Sequence, residues 1–191
     1  MYNFFALVSR MKYIDRWALM RSARSETVSE HTLEVALLSH GLAIIGNTYL
    51  GKSYDAEKAA LLALYHDAPE ILTGDMPTPI KYNNPGLSGA YHALEKEMEE
   101  KLLSMLPEEM RPAYAPLLSP ERDALLRLVK AADKLSAYIK CVEEVKSGNR
   151  EFERAKDATY KALMAYEMDE VTLFFEHFME GYGKSLDELT E

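Results

Sequence analysis

The sequence predicts an all-α fold, a compact single-domain bundle of helices over residues 1–191. Three observations predict it. Apolar residues recur at helical spacing along most of the chain, and no run alternates as a strand would. The breaks between periodic runs carry Gly, Pro, Asn and Asp, the residues that end helices and build turns. The chain is 191 residues long, 48% hydrophobic and 28% charged, which suits one domain with a sizeable core.

A first helix covers about Asn3 to Lys12, where Phe4, Leu7, Val8 and Met11 share a face. The stretch "DRWALMRSARSETV" that follows is irregular. Ser29 is expected to cap a long helix over about Glu30 to Thr48, and Asp55 to cap the next, which ends near Asp67. Pro69 has no backbone donor and disfavours helical geometry at Ala68, so the helix must kink or restart there. "GDMPTPIKYNNPG" reads as a loop. Ser88 is expected to cap a helix to about Leu106. Ser119 followed by Pro120 predicts the start of another, reaching about Ser147 before Gly148 and Asn149 end it. Helices over about Arg150 to Ala165 and Asp169 to Gly181 complete the bundle.

Composition excludes some functions. A net charge of −9 argues against polymeric nucleic acid or an anionic membrane as partner, since both need a broad basic surface. It leaves room for a small anionic ligand in a local basic pocket. The uncharged run from Val35 to Gly51 is interrupted by polar residues and falls short of the ~20 apolar residues of a membrane span. The N-terminus lacks the pattern of a secretory signal. The lone cysteine, Cys141, permits no internal disulfide and reads as a small core residue. A cytoplasmic location is expected.

Chemistry gathers on three helices. From His31, steps of four, three, four and three reach Val35, Leu38, Leu42 and Ile45, so this histidine lies on a core-facing stripe. His40 falls on another face. Asp133 lies among Leu126, Val129 and Ala137. His66 shares a face with Ala59, Leu62 and Ala63, and Asp67 is next to it. Imidazole and carboxylate turned toward one core suit a divalent transition metal. A buried His–Asp ion pair beside an unrelated histidine is the plainer alternative. Glu70 is either a proton carrier just outside that cluster or a helix-start carboxylate after Pro69. Trp17, the only tryptophan, is either a core anchor or a stacking platform next to Arg16.

The order H…HD…D on helices resembles the HD superfamily of metal-dependent phosphohydrolases. The segments "DRWALMRSARSETVSEHTLEVALLSH", "LALYHDAPEILTGDMPTPIKY" and "VKAADKLSAYIKCVEEVKSGNREF" resemble, more narrowly, the bacterial 5′-deoxynucleotidases of the YfbR type. That resemblance spans essentially the whole chain, and the Arg–Trp pair and "TGDMPTP" are its most specific parts. It implies hydrolysis of 2′-deoxyribonucleoside 5′-monophosphates by a cytoplasmic homodimer. It implies one divalent transition metal (Co, Mn, Zn, Ni or Fe) held by His31, His66, Asp67 and Asp133. It also implies a catalytic Glu70, a phosphate-orienting Arg16, and substrate contacts from Trp17, His31, Asp67, Asp75, Met76, Pro77, Thr78 and Asp133. On residue chemistry alone Asp75 could accept from a sugar hydroxyl or simply turn the chain. Arg21, Arg24 and Lys81 could add positive field or be plain surface. The alternatives are another HD-type phosphoester hydrolase and a non-catalytic helical binding module with a structural metal.

Overall fold

The computed structural model describes residues 1–81 and 84–190, leaving out the side chains of Thr78 and Pro79. Helix α1 (Phe4–Val8) tightens into a 3₁₀ segment, Ser9–Tyr13, so the expected first helix is present in two forms. Helix α2 runs Val28–Tyr49. Its cap is Thr27 and not Ser29. Glu30 N–H donates to Thr27 Oγ1 at 3.3 Å, and Thr27 N–H donates to Glu30 Oε2 at 2.8 Å. This reciprocal box, which Ser29 cannot form because Thr32 stands three residues on, starts the helix early and puts His31 in its first turn.

Helix α3 (Ala56–Tyr65) is capped by Asp55, whose side chain accepts from Lys58 N–H at 2.9 Å. It stops one residue before His66, and the chain turns through Asp67 to a short helix α4 (Glu70–Thr73). Pro69 enforces that restart. Gly74, at φ +74°, ends α4 in a conformation that favours glycine and turns Asp75 away from the helix axis. The expected loop contains one helical turn, α5 (Thr78–Lys81); its residues 82 and 83 lie outside the described residues.

Helix α6 (Pro85–Ser104) starts at Asn84, which accepts from Leu87 N–H at 2.8 Å, so Ser88 lies inside it. Helix α7 (Arg111–Leu118) lies between the expected helices, in a stretch for which no element was expected. Pro112 is in the first turn, where no intrahelical donor is missed. Ser119 closes α7 by donating its N–H to Ala115 O at 2.9 Å. The next helix, α8 (Ala124–Lys146), is therefore capped by Asp123, whose carboxylate accepts from Leu126 N–H at 2.8 Å. Helices α9 (Glu153–Met164), α10 (Asp169–His177) and α11 (Leu186–Thr190) follow.

Helix α2 packs against α3, α8 and α10. Val35, Leu38, Leu42 and Ile45 of α2 meet Leu62 and Ala63 of α3, Leu128, Val129 and Leu135 of α8, and Phe174 of α10 in the main core. A smaller core joins Phe4, Ala68, Leu102, Leu106 and Leu118. Ala68 thereby pins the turn that carries His66 and Asp67. Among the described residues there is no strand, only an isolated bridge between Asp15 and Thr27. No described helix is long and apolar enough to cross a membrane.

Candidate functional site

Three elements converge at the open end of the main core: the first turn of α2, the turn after α3, and the middle of α8. His31, His66 and Asp133 each bring one donor atom into a group within 4.8 Å of one another. His31 Nε2 lies 3.1 Å from Asp133 Oδ1 and 3.5 Å from Asp67 Oδ2. His66 Nε2 lies 3.1 Å from Asp67 Oδ2. His40, by contrast, is exposed.

The far side of each imidazole decides what these nitrogens can do. His66 Nδ1 is 2.7 Å from Ala63 O, which can only accept, so the proton sits on Nδ1. Ser136 donates its single hydroxyl proton to Glu34 Oε2, leaving its oxygen to accept from His31 Nδ1 at 3.0 Å. In the neutral form each ring therefore turns a lone pair on Nε2 toward the carboxylates, and among the described residues neither Nε2 has a hydrogen-bond partner. Acceptors facing acceptors in a buried cluster are unfavourable unless a cation joins them. Burial alone would lower the His66 imidazole, but Asp67 and Asp133 raise its pKa above the ordinary value. Burial would raise Asp133, but the nearby His31, Lys134 and His66, the imidazoles acting when protonated, hold it well below the carboxylate range. The donor set and its bare lone pairs fit a divalent transition metal.

Arg16 reaches this cluster from the irregular stretch. Its Nη1 donates to Asp67 Oδ2 at 3.4 Å, and its Nε lies 3.2 Å from Glu26 Oε1. The strand-like bridge is what brings Arg16 and Glu26 together: Arg16 N–H donates to Glu26 O at 2.8 Å, and Val28 N–H to Ile14 O at 2.9 Å. Trp17 stands next in a left-handed backbone, φ +59°, a conformation that costs a non-glycine residue about 1–3 kcal/mol. Its indole N–H donates to Glu26 Oε2 at 3.1 Å, and its ring lies 5.3 Å from that of Phe152. Arg16, Trp17, Asp75 and Pro77 line one side of a cavity of about 530 Å³. Ala155, Ala158, Thr159 and Ala162 of α9, with Lys134 and Ala137 of α8, line the other.

A family model described as 5′-deoxynucleotidase YfbR-like matches residues 3–182. This chain belongs to the YfbR-like 5′-deoxynucleotidase family. A curated relative named 5′-deoxynucleotidase yfbR, from Photorhabdus temperata, is 47% identical over 100% of this chain and 98% of its own length. The solved HD-domain phosphohydrolase of Listeria innocua superposes with a TM-score of 0.84 at 21% identity, covering 98% of this chain and 95% of that one. An HD phosphohydrolase of cyanophage S-2L, solved with dA and one catalytic zinc ion, gives 0.63 at 21% identity, covering 92% and 96%. The YfbR-like chain thus has the helical bundle of the HD-domain type.

The remaining candidates of this YfbR-like site are spread unevenly. Glu70 is buried at the start of α4, 7% exposed, and its Oε2 has no hydrogen-bond partner. Burial and the Asp67 and Asp75 charges push its carboxyl up to about 9, against the pull of Arg16 and Lys81. Met76 is half-buried and does not line the cavity. The side chain of Thr78 lies outside the described residues. Arg21 and Arg24 pair with Glu151 and Glu30 on the surface, and Lys81 with Glu95.

The sequence reading missed the groups that hold the loop of Arg16 and Trp17. Glu144 accepts from Ala23 N–H at 2.7 Å and Arg24 N–H at 3.3 Å. Lys140 donates to Arg24 O at 2.6 Å, and Asn149 Nδ2 to Arg21 O at 2.7 Å. Burial raises the Glu144 carboxyl, but the Lys140 ammonium and these backbone N–H groups bring it down to about 2. A signal was available: Asp133, Ser136, Lys140 and Glu144 follow one another at helical spacing, a polar stripe on the buried side of α8.

Proposed function

We propose that this chain hydrolyses 2′-deoxyribonucleoside 5′-monophosphates to deoxynucleoside and phosphate. The observation that carries the reading is the pair of bare imidazole nitrogens facing Asp67 and Asp133, joined through Arg16 to a cavity walled by Trp17 and alanines. His31, His66, Asp67 and Asp133 would hold one divalent transition metal, Co, Mn, Zn, Ni or Fe. When bound, that metal supplies Lewis acidity toward phosphate and water. Arg16 orients the phosphate with its paired N–H donors. His31, Asp67 and Asp133, gathered beside Arg16, would lie next to the bound phosphate. Trp17 stacks on the base, and Pro77 closes over the nucleoside. Asp75 accepts from a sugar hydroxyl. Glu70 delivers the proton that the leaving 5′ oxygen requires.

The apolar lining supports weak discrimination among bases, since stacking contributes ~1–3 kcal/mol per base without reading its edge. The test is phosphate release from the four deoxynucleotides, their ribose counterparts, a cyclic dinucleotide and a guanosine alarmone, with several metals supplied. Similar rates on the four deoxynucleotides and slow ribonucleotide turnover are expected. Equal rates on both sugars would remove the deoxy preference. Turnover of only the cyclic dinucleotide or alarmone, or of nothing, would remove the function.

Ser136→Ala is expected to weaken metal affinity by about 10–100-fold, the usual effect of removing a ligand's orienting partner. Without the hydroxyl, only the longer contact to Glu26 Oε1, at 3.4 Å, favours the proton on His31 Nδ1. Calorimetric titration with Mn²⁺ measures it, and unchanged affinity would show that the Ser136 bond does not select the tautomer.

The reading includes a homodimer. Leu33, Leu37 and Ile44 form an exposed apolar stripe on α2, 58%, 66% and 44% exposed, which a second copy would cover. It also includes the cytoplasm, where the buried thiol of Cys141 stays reduced.

A further inference from the structure

We propose that Glu26 is a positioning residue whose single carboxylate sets both the guanidinium of Arg16 and the indole of Trp17, and so fixes the distance between phosphate and base. The proposal rests on the nucleotidase reading of the cavity. The geometry assigns each carboxylate oxygen a separate task. Oε1 lies 3.2 Å from Arg16 Nε and 3.4 Å from His31 Nδ1, and Oε2 accepts from Trp17 Nε1 at 3.1 Å. The backbone adds a further tie, since Glu26 O accepts from Arg16 N–H at 2.8 Å.

Two features show why this grip matters. The Arg16 pair is an ion pair off hydrogen-bond alignment, so charge and not a directed bond keeps Nε on the Glu26 side. Its Nη1 is thereby turned toward Asp67. Trp17 has a left-handed backbone that its residue type disfavours, and such a conformation persists only where the surroundings hold it. The indole bond to Glu26 and the ring of Phe152 are the contacts that do so. Glutamine cannot replace glutamate here, because both neighbours are donors and an amide offers only one acceptor oxygen.

Trp17 is the only tryptophan, so its fluorescence reports on this site alone. The experiment compares the Mn²⁺-loaded wild-type protein with Glu26→Gln and Glu26→Asp. Inorganic phosphate and thymidine, neither of which turns over, are titrated separately, and iodide quenching is read without ligand. Glu26→Gln is expected to weaken both phosphate and thymidine by about tenfold, the effect of losing a hydrogen bond to a charged group. It should raise iodide quenching of Trp17, with Mn²⁺ kept saturating for every variant because Glu26 Oε1 also lies 3.4 Å from Nδ1 of the candidate ligand His31. Glu26→Asp restores charge but not reach, so phosphate binding should recover more than thymidine binding. If only one ligand weakens in Glu26→Gln, the joint role is wrong. If neither weakens while the melting temperature falls, Glu26 merely stabilises the loop, and the proposal fails. If the wild-type protein binds neither ligand yet quenching still rises in the variant, the nucleotidase reading fails while Glu26 is shown to hold Trp17. Should Glu26→Gln not fold, unchanged ligand affinities in Glu26→Asp overturn the proposal.

Discussion

Glu70→Ala is expected to lower kcat by about 10²–10⁴-fold, the usual contribution of a positioned acid or base. Metal content and nucleotide affinity should stay close to those of the parent. Glu70 follows Pro69 at the restart of the broken helix, and its backbone N–H donates to Asp67 O at 3.0 Å, which ties it to the His66–Asp67 turn. Its buried Oε2 has no hydrogen-bond partner among the described residues. Burial, with Asp67 and Asp75 close by, pushes the carboxyl up to about 9, so without a metal it holds its proton at neutral pH. A nearby cation lowers that value toward the range where a carboxyl both keeps and gives a proton. Glu70→Gln is the sharper variant, because it preserves shape and neutrality but has no proton to transfer. Steady-state kinetics with elemental analysis separates the outcomes. Loss of metal would make Glu70 a ligand. Wild-type turnover would reduce it to a helix start and move the proton to Asp75 or water.

Periodicity made the buried part of this arrangement legible. His31 and Asp133 lie on apolar stripes, so their inward direction follows from helix geometry, and the structure brings them within 3.1 Å. His66 and Asp67 were legible as a pair, while their exact place was not: they stand just beyond α3, where the turn forced by Pro69 aims them. Glu26 was not legible, because its contacts depend on a chain reversal between Ile14 and Val28 that has no period. Ser136, Lys140 and Glu144 were within reach of the same counting that found Asp133. They were passed over because the count followed apolar residues, whereas here a helix buries a polar stripe whose bonds are satisfied across the bundle. Caps were misplaced where a competing side chain did better, as Thr27 does with Glu30. The α7 helix contains two prolines, Pro112 in its first turn, where it is tolerated, and Pro116 in its interior.

His66→Ala and Asp133→Ala are each expected to abolish metal binding and with it the thermal stabilisation that metal provides. The candidate ligands come from the first turn of α2, the turn after α3 and the middle of α8, so one ion ties three elements that are distant in sequence. A ligand that binds only the folded state at a hundred times its Kd stabilises by ~2.7 kcal/mol. For a chain of this size that is a rise in Tm of roughly 5–10 °C. The parent protein should show that rise when metal is added after chelation, and the variants should show none. The pH dependence adds an independent check. The folded-state pKa of His66 is raised above its unfolded value by Asp67 and Asp133, despite burial. Its proton therefore stabilises the chelated protein fully below the unfolded value of about 6.5, and that contribution fades as pH rises through the folded value. Metal takes the place of this proton, so the loaded protein should lack that decline while the chelated parent shows it. In chelated His66→Ala the decline should be shallower than in the chelated parent, the remainder coming from Glu70, whose raised carboxyl also holds a proton in the folded state across this range. A variant that keeps full metal occupancy by elemental analysis would remove that residue from the ligand set. A chelated parent whose Tm is flat between pH 6 and 8 would mean that Asp67 and Asp133 do not hold a proton on His66, and that the cluster is relieved in some other way.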